Sequence, residues 1–283
     1  MTLAPPGEAA ARPGQAAAPD VLAFLRGRPL VVLTGAGLST DSGIPDYRGP
    51  NAPARMPMTY GEFVSGPDAQ RRYWARSHVG WSRLGTARPN AGHHALARLE
   101  ATGGVDLLVT QNVDGLHEAA GSRVLALHGR ISDVVCLSCR AISSRAALQR
   151  TLERLNPGYA ATHAAALVRP DGDVEIDETD GFVVPGCDCG GALKPDVVFF
   201  GENVPPVRVQ RSYDAVEALA GRDGVLLVVG SSLTVMSGLR FVKRAARLGI
   251  PVVIVNRGPT RGDEHATYTL DDGCSEFLTA LAG

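Results

Sequence analysis

Five short apolar runs, rich in valine, isoleucine and leucine, are the feature that most limits the fold of this chain. Each run is continuously apolar rather than alternating, which is typical of strands buried on both faces of a parallel sheet. Helical patterns lie between some of the runs, including one that Asn90 is placed to cap. This order predicts an α/β fold with a Rossmann-like, doubly wound parallel sheet. The runs are Leu30–Leu33, Asp106–Val109, Val124–Leu127, Val225–Val229 and Val252–Val255.

Glycine or polar residues follow every run, at the point where each predicted strand ends. At any one end, such residues are explained equally well as ordinary turn formers. In open parallel sheets, however, a ligand binds outside the carboxyl ends of the strands, so the five ends together predict one site. The residues concerned are Gly35, Gln111, Asn112, His128, Gly230 and Asn256.

The net charge and the apolar content of the chain give no support for nucleic-acid binding or membrane insertion. The 283 residues carry a formal net charge of −1, which offers no argument for binding nucleic acid or an anionic membrane. No window approaches the ~18 apolar residues that a membrane span needs. Residues 1–20 are rich in alanine, proline and glycine and lack the aliphatic run of a secretory signal. We expect a disordered leader there and a cytoplasmic protein, and the sequence does not indicate its oligomeric state.

The loop after the first run resembles part of a dinucleotide phosphate site. Glycines at Gly35 and Gly37 allow backbone to approach a pyrophosphate. The dehydrogenase fingerprint requires a third glycine where this chain has Thr40, and no Gly-Lys-Ser/Thr triplet of a mononucleotide P-loop is present. Ser42-Gly43-Ile44-Pro45 breaks the helical period, which predicts a loop over the ligand with Asp46 and Arg48 near the site. The alternative for that acid and arginine is a surface ion pair.

Four of the five cysteines form two close pairs, Cys136-x-x-Cys139 and Cys187-x-Cys189. Four thiolates on two short turns suit tetrahedral zinc. Because all four positions would be thiolates, none is left for water, and the site would be structural and not catalytic. The alternative is a set of reduced, buried cysteines. The pairs lie in the second of two segments, 50–89 and 131–194, that we interpret as a small zinc-binding and helical domain. Residues 21–49, 90–130 and 195–283 would then form the Rossmann-like domain.

The motifs of this chain are similar, in order and spacing, to those of the sirtuins, which are NAD-dependent protein deacylases. The stretches are "GAGLSTDSGIPDYRG", "TQNVDGLH", "LHGR", "LKPDVVFFGE" and "GSSLTV", together with the paired cysteines. The match extends from about Leu30 to Leu281. It looks closest to the class II branch, which includes the mitochondrial sirtuin four of animals, through "RRYWAR", "VGW", "PDGDV" and "VNRGPTRGD".

The resemblance implies a role for each matching position in an NAD-binding and zinc-binding enzyme. Gly35, Ala36, Gly37 and Ser39 would hold the pyrophosphate, and Ile44, Asp46, Tyr47 and Arg48 would belong to a flexible cofactor loop. Gln111, Asn112 and Asp114 would surround the nicotinamide and its ribose, with Asn112 and Asp114 assisting His128, the general base. Gly230, Ser231, Ser232, Asn256, Arg257, Gly258 and Cys274 would hold the adenosine half. Cys136, Cys139, Cys187 and Cys189 would bind zinc, and Val198, Phe199, Gly201 and Glu202 would pair with the substrate backbone.

The implied reaction transfers an acyl group from a protein lysine to ADP-ribose and releases nicotinamide. Histidine titrates near neutrality, which suits removal of a proton from a ribose hydroxyl. Mono-ADP-ribosyl transfer to protein would use the same NAD pocket and stays open as an alternative. A dehydrogenase, and a non-catalytic NAD-binding or zinc-ribbon adaptor, are alternatives of other classes. For the acyl group, Tyr73-x-x-Arg76 loosely resembles a pair that reads acidic acyl chains, although a packed aromatic beside a solvated arginine is the interpretation we favour.

Overall fold

The computed structural model describes residues 12–46, 57–84, 87–163, 174, 176 and 178–283, with residues 82–84 described by their backbone. Its main feature is a six-stranded parallel sheet with the strand order β3-β2-β1-β7-β8-β9. The order reverses direction at β1, so the adjacent loops diverge there and leave a crevice. The strands are β1 (Leu30–Thr34), β2 (Val105–Thr110), β3 (Val124–Ala126), β7 (Val225–Val229), β8 (Val252–Val255) and β9 (Tyr268–Leu270).

Ten helices accompany the strands in the described part of the chain. One of them is the helix that Asn90 was predicted to cap, and Asn90 accepts hydrogen bonds there from the amides of Gly92 and His93. The helices are α1 (Ala18–Leu25), α2 (Tyr60–Phe63), α3 (Pro67–Leu84), α4 (Ala91–Ala101), α5 (Leu116–Ala119), α6 (Arg145–Leu155), α7 (Tyr159–Thr162), α8 (Pro206–Glu217), α9 (Met236–Arg247) and α10 (Cys274–Ala282).

The two faces of the sheet are each covered by a hydrophobic layer. Leu30 and Val32 of β1 pack on one side with α4 and α10, while Val31 and Leu33 pack on the other side with α8 and α9. All five residues of β1 are buried. This two-sided burial explains why the strand is continuously apolar, and it confirms the predicted doubly wound sheet.

A second sheet, of three antiparallel strands in the order β5-β4-β6, carries the cysteine pairs. Its strands are β4 (Gly129–Cys136), β5 (Ile142–Ser144) and β6 (Leu193–Val197). We call the β4–β6 pair the ribbon. The ribbon begins one residue after His128 and ends on Cys136, and β6 returns from the cysteines to the residue before Val198.

The predicted leader is wrong for residues 12–20. Gln15 forms a bridge with Thr269 of β9, and α1 begins at Ala18 with its apolar residues in the main core. Arg12 donates hydrogen bonds to the carbonyls of Asn256 and Gly258. The segment is ordered because it completes the edge of the sheet, which its alanine and proline content did not indicate. Residues 1–11 lie outside the described residues.

Candidate active site

A cavity of about 1160 Å³ lies at the carboxyl ends of the central strands. Loops that follow β1, β2, β7 and β8 form one part of its wall, and the segment after β6 forms another. Most of the predicted site residues are brought together here. Those on the wall are Gly35, Ala36, Gly37, Ser39, Ile44, Asp46, Gln111, Asn112, Asp114, His128, Val198, Phe199, Gly201, Glu202, Gly230, Ser231, Ser232, Asn256, Arg257 and Gly258.

Among the predicted NAD-binding and substrate-binding residues, Cys274 is the one described residue that is not on this wall. Cys274 is buried, and its sulfur would lie 3.1 Å from a Cβ added at Gly230. It therefore packs behind the loop that follows β7 instead of facing the cavity. Tyr47 and Arg48 lie outside the described residues, so their predicted place in the cofactor loop stays a prediction.

Glycines let the loops after β1 and β7 pack against each other. A Cβ at Gly35 would lie 2.7 Å from the Gly230 carbonyl oxygen, and a Cβ at Gly37 would lie 2.9 Å from the Gly230 Cα. The Gly37 amide donates to the Gly230 carbonyl at 2.8 Å. Any larger residue would push the loops apart, so the glycines keep a shallow, backbone-lined surface of the kind that fits a dinucleotide pyrophosphate.

A polar network joins the ends of β1 and β2. The Asn112 side chain donates to the Gly35 carbonyl and to the Ser39 hydroxyl, both at 3.0 Å. Ser39 in turn donates to the Asp114 carboxylate at 2.7 Å. Burial raises the pKa of Asp114, although hydrogen bonds from the Leu116 amide and from Ser39 oppose the shift. The network fixes an amide and a carboxylate at the cavity wall.

His128 contacts two partners through its two ring nitrogens. Nδ1 lies 2.9 Å from the Gln111 carbonyl oxygen, which can only accept, so Nδ1 carries the proton. Nε2 lies 2.8 Å from the Ser237 hydroxyl, which therefore donates to it. Burial lowers the pKa of His128 to about 4, with a contribution from the charge of Arg208, while the Gln111 bond raises it. The imidazole is neutral at pH 7 and presents a basic nitrogen to the cavity.

The segment after β6 forms the opposite edge of the cavity. The Val198 amide donates to the His128 carbonyl at 2.8 Å, and the Tyr60 amide donates to the Phe200 carbonyl at 2.9 Å. Glu202 accepts from the Phe199 amide and pairs with the buried Lys194 at 2.9 Å. These bonds hold the segment beside His128, and the Glu202 amide closes a turn by donating to the Phe199 carbonyl at 3.0 Å.

Aromatic rings line one corner of the cavity near this edge. Tyr73 lies on the wall, with ring centroids of Phe63 and Phe199 at 5.4 and 5.2 Å. Arg76 is not among the wall residues, and its Nε donates to the Ile176 carbonyl at 2.9 Å. The structure thus brings the tyrosine, but not the arginine, of the Tyr73-x-x-Arg76 pair to the cavity.

Several wall residues were not predicted from the sequence, including the polar residues Ser237 and Arg240 of α9. The Ser237 contact with His128 spans 109 residues of sequence. No local pattern marks it, since serine is common near helix starts.

The four predicted zinc ligands lie together at the far end of the ribbon. The sulfurs of Cys136, Cys139, Cys187 and Cys189 are all within 4.8 Å of one another. Cys136 and Cys189 are 3.5 Å apart, and Cys139 and Cys187 are 3.8 Å apart. Sulfurs bound tetrahedrally to one zinc at 2.3 Å would be about 3.8 Å apart, so the cluster fits that ion. The single spacer in Cys187-x-Cys189 does not prevent the four thiols from converging.

None of the helices in the described residues has the length and apolar character that crossing a membrane requires.

The chain is similar to known proteins over most of its length. A model of the Sir2 family matches residues 35–237. The chain is 52% identical to "NAD-dependent protein deacetylase 1" of Mycobacterium avium, over 95% of this chain and 96% of that one. It is 53% identical to the protein of the same name in Streptomyces coelicolor, over 95% and 90%.

Solved structures give the same result. The chain is similar to "Sir2-p53 peptide-NAD+", with a TM-score of 0.72, 30% identity and coverage of 92% and 94%. It is also similar to the structure titled "The Structural basis for Sirtuin Substrate affinity", with a TM-score of 0.69, 27% identity and coverage of 93% and 96%. The residues matched by the family model include the glycine loop, His128 and the cysteine cluster, and the chain belongs to the Sir2 family.

Proposed function

We propose that this protein is an NAD-dependent protein lysine deacetylase that releases nicotinamide and O-acyl-ADP-ribose. The observation that carries the proposal is the neutral His128, which lies on the wall of a cavity between a dinucleotide-type set of loops and the segment after β6. Relatives more than half identical to this chain are named NAD-dependent protein deacetylases. Together, the site and these names support one reaction class.

The loops after β1, β7 and β8 would hold NAD. Gly35, Ala36, Gly37 and Ser39 would contact the pyrophosphate, because the glycine packing leaves backbone exposed to the cavity. The residues after β7 and β8 would contact the adenosine half: Gly230, Ser231, Ser232, Asn256, Arg257 and Gly258. When bound, NAD supplies the glycosidic bond to nicotinamide that is broken and the ADP-ribose that accepts the acyl group.

The residues of the chain supply the proton transfer and the orientation. His128 would take a proton at Nε2 from a ribose hydroxyl, and the Gln111 carbonyl would keep Nδ1 protonated while it does so. Asn112 and Asp114, fixed by their network with Ser39, would orient the ribose. Apolar wall residues such as Val113 and Ile131 would exclude water.

An extended acyl-lysine peptide would add as a strand between two edges of the cavity. One edge is the segment of Val198, Phe199, Gly201 and Glu202, and the other is the loop around Leu233. The acyl-lysine side chain would then enter the cavity near Phe199 and Tyr73. Because Arg76 does not reach the wall, we expect acetyl- and other neutral acyl-lysines to be preferred over succinyl-lysine.

Zinc bound to Cys136, Cys139, Cys187 and Cys189 would have a structural role. All four ligands would be thiolates, which leaves no position for a reacting water. The ion would hold together the two loops at the far end of the ribbon, and it would not contact the substrate.

Mass spectrometry on a panel of acetyl-, succinyl- and lipoyl-lysine peptides with NAD tests the proposal. We expect loss of the acetyl group with stoichiometric release of nicotinamide. Absorbance at 340 nm should not rise, whereas a dehydrogenase would raise it. Transfer of label from NAD to protein without deacylation would instead indicate the ADP-ribosyltransferase.

Three narrower predictions are kept as proposals. Placement in the class II branch is supported by "RRYWAR", "VGW", "PDGDV" and "VNRGPTRGD". The division into a Rossmann-like domain and a small domain at 50–89 and 131–194 is supported by the separate sheets. A cytoplasmic location is supported by the sequence pattern alone, and cell fractionation would test it.

A further inference from the structure

The Ser237 hydroxyl occupies the one ring nitrogen of His128 that the proposed reaction needs. Nδ1 is committed to the Gln111 carbonyl, so the free lone pair is on Nε2, 2.8 Å from Ser237 Oγ. Ser237 is half-buried and lies on the cavity wall. A ribose hydroxyl that reaches Nε2 must therefore share the space beside this nitrogen with the serine.

The first turn of α9 holds Ser237 firmly in place. A Cβ at Gly238 would lie 2.6 Å from the Gln111 side-chain oxygen, so this turn packs directly against residue 111. Residue 111 is the same residue whose carbonyl binds Nδ1. One ring nitrogen is thus bound by Gln111 and the other by Ser237, whose neighbour Gly238 packs against Gln111, so Ser237 has a fixed position relative to the base.

The surroundings of the ring make its protonated form unfavourable. Arg208 of α8, paired with Asp196 of β6 at 3.1 Å, is the charged group whose field acts on His128. Within the described part of the chain, the polar contacts of the ring are the Gln111 carbonyl and the Ser237 hydroxyl. Of these two, only Ser237 lies at the nitrogen that receives the proton. A hydroxyl can donate to neutral Nε2 and can also accept from protonated Nε2, which a carbonyl cannot do.

We propose that Ser237 is a positioning residue that holds both protonation states of His128. In the resting site, its O–H donates to Nε2. During the reaction, the proton of the ribose hydroxyl passes to the Nε2 lone pair, and the electron pair of the broken O–H bond stays on the ribose oxygen. The hydroxyl of Ser237 rotates, and its oxygen accepts the new Nε2–H. No proton is gained or lost by the serine in this exchange. The proposal rests on the function proposed above, because it assigns Nε2 as the base.

Kinetics of Ser237→Ala and Ser237→Thr test this role. A hydrogen bond to a charged group is stronger than one to a neutral group, so we expect Ser237→Ala to lower kcat about tenfold or more, with KM values within twofold. Nicotinamide exchange precedes the proton transfer and should stay within twofold of the wild type. Ser237→Thr, which keeps a hydroxyl, should recover kcat to within threefold. Thr102→Ala removes an exposed hydroxyl at the end of α4 and is the matched control, with kcat unchanged.

The pH dependence provides a readout that a purely structural serine would not move. Loss of the accepting oxygen destabilises the imidazolium, so the pKa of His128 should fall. The acid limb of kcat/KM should then shift to lower pH in Ser237→Ala. An NMR titration of the His128 ring nitrogens should show the same direction without any substrate.

Two results would overturn the proposal. One is a His128 titration that is identical in the wild type and Ser237→Ala. The other is an equal loss of kcat and nicotinamide exchange with an unmoved acid limb, which would indicate a structural defect in α9. If the wild type neither deacetylates nor exchanges nicotinamide, the proposed function fails separately, while the NMR titration still decides whether Ser237 stabilises the charged ring.

Discussion

Gly129→Ala should damage both the stability and the activity of the protein, because Gly129 is the residue at which the ribbon begins beside the base. Its φ is +82°, and an added Cβ would overlap the Asp196 carbonyl oxygen and lie 2.8 Å from the Asp196 carbonyl carbon. Carbon atoms in contact are ordinarily about 3.5 Å apart. The carbon contact alone would require the two strands to separate by roughly 0.7 Å, and relief of the overlap with the oxygen would require more.

Three costs add up at this position. A non-glycine residue at positive φ costs about 1–2 kcal/mol. Overpacking of a tight site costs about 1–3 kcal/mol. A separation of roughly 0.7 Å would also stretch the bond from the Val198 amide to the His128 carbonyl, now 2.8 Å, to the limit of a hydrogen bond, for about 1 kcal/mol more. We expect a total loss of about 3–6 kcal/mol.

Gly103→Ala is the matched control. Gly103 has a φ of +79°, and an added Cβ would meet nothing within 4 Å. It therefore carries the backbone cost alone, about 1–2 kcal/mol. Differential scanning calorimetry of both variants should place the Tm of Gly129→Ala below that of Gly103→Ala by at least about 4 °C.

Activity should separate the two variants further. A displacement of a catalytic group by about 1 Å can reduce the rate about 100-fold, so Gly129→Ala should lose about tenfold to 100-fold in kcat/KM, while Gly103→Ala keeps the wild-type value. If Gly129→Ala has the same Tm as Gly103→Ala and the same kcat/KM as the wild type, the ribbon does not fix the position of His128, and the prediction is refuted.

Three further predictions concern the base, the buried histidines and the metal cluster. His128→Ala should abolish deacetylation and retain NAD binding by calorimetry, and turnover above about a hundredth of the wild type would contradict the role of the base. Burial lowers the pKa values of His93, His117 and His128 to about 4, 3 and 4. Below pH ~6.5 the unfolded chain therefore binds protons that the folded chain does not, so the Tm should fall from pH 7 to pH 5, and an equal or higher Tm at pH 5 would argue against it. Chelation should unfold the small domain and inactivate the enzyme indirectly, and metal analysis that finds no zinc in pure protein would show the cysteine interpretation to be wrong.

The sequence predicts the main sheet well because its signal is local. The residues of β1 are buried on both sides, so the strand must be apolar at every position, and the same holds for β7 and β8. The glycines that follow these strands are also predictable from the sequence, since close backbone contacts leave no space for a side chain. The convergence of the cysteines is also predictable, because their spacing is set by the chemistry of the ion.

Other parts of the structure depend on contacts that no local pattern shows. The ribbon is missed as a pair of strands because Lys194 and Pro195 of β6 do not read as strand residues, although Lys194 is buried against Glu202. β9 was not predicted, because a strand of only three residues is too short to show a clear apolar pattern. The order of residues 12–20 depends on Thr269 and Gly258, about 250 residues away. Ser237 likewise becomes visible only when α9 is placed beside β2.

The ribbon also has a consequence for engineering. Cys136 pairs with Leu193 at one end, and Gly129 pairs with Val197 at the other, so residues 137–192 form a single excursion that leaves and re-enters between adjacent strands. A shortened chain that closes this excursion with a tight turn would also lose β5 and α6, both of which pack on β4. Such a minimal protein would separate what the excursion contributes to folding from what the two strands contribute to chemistry.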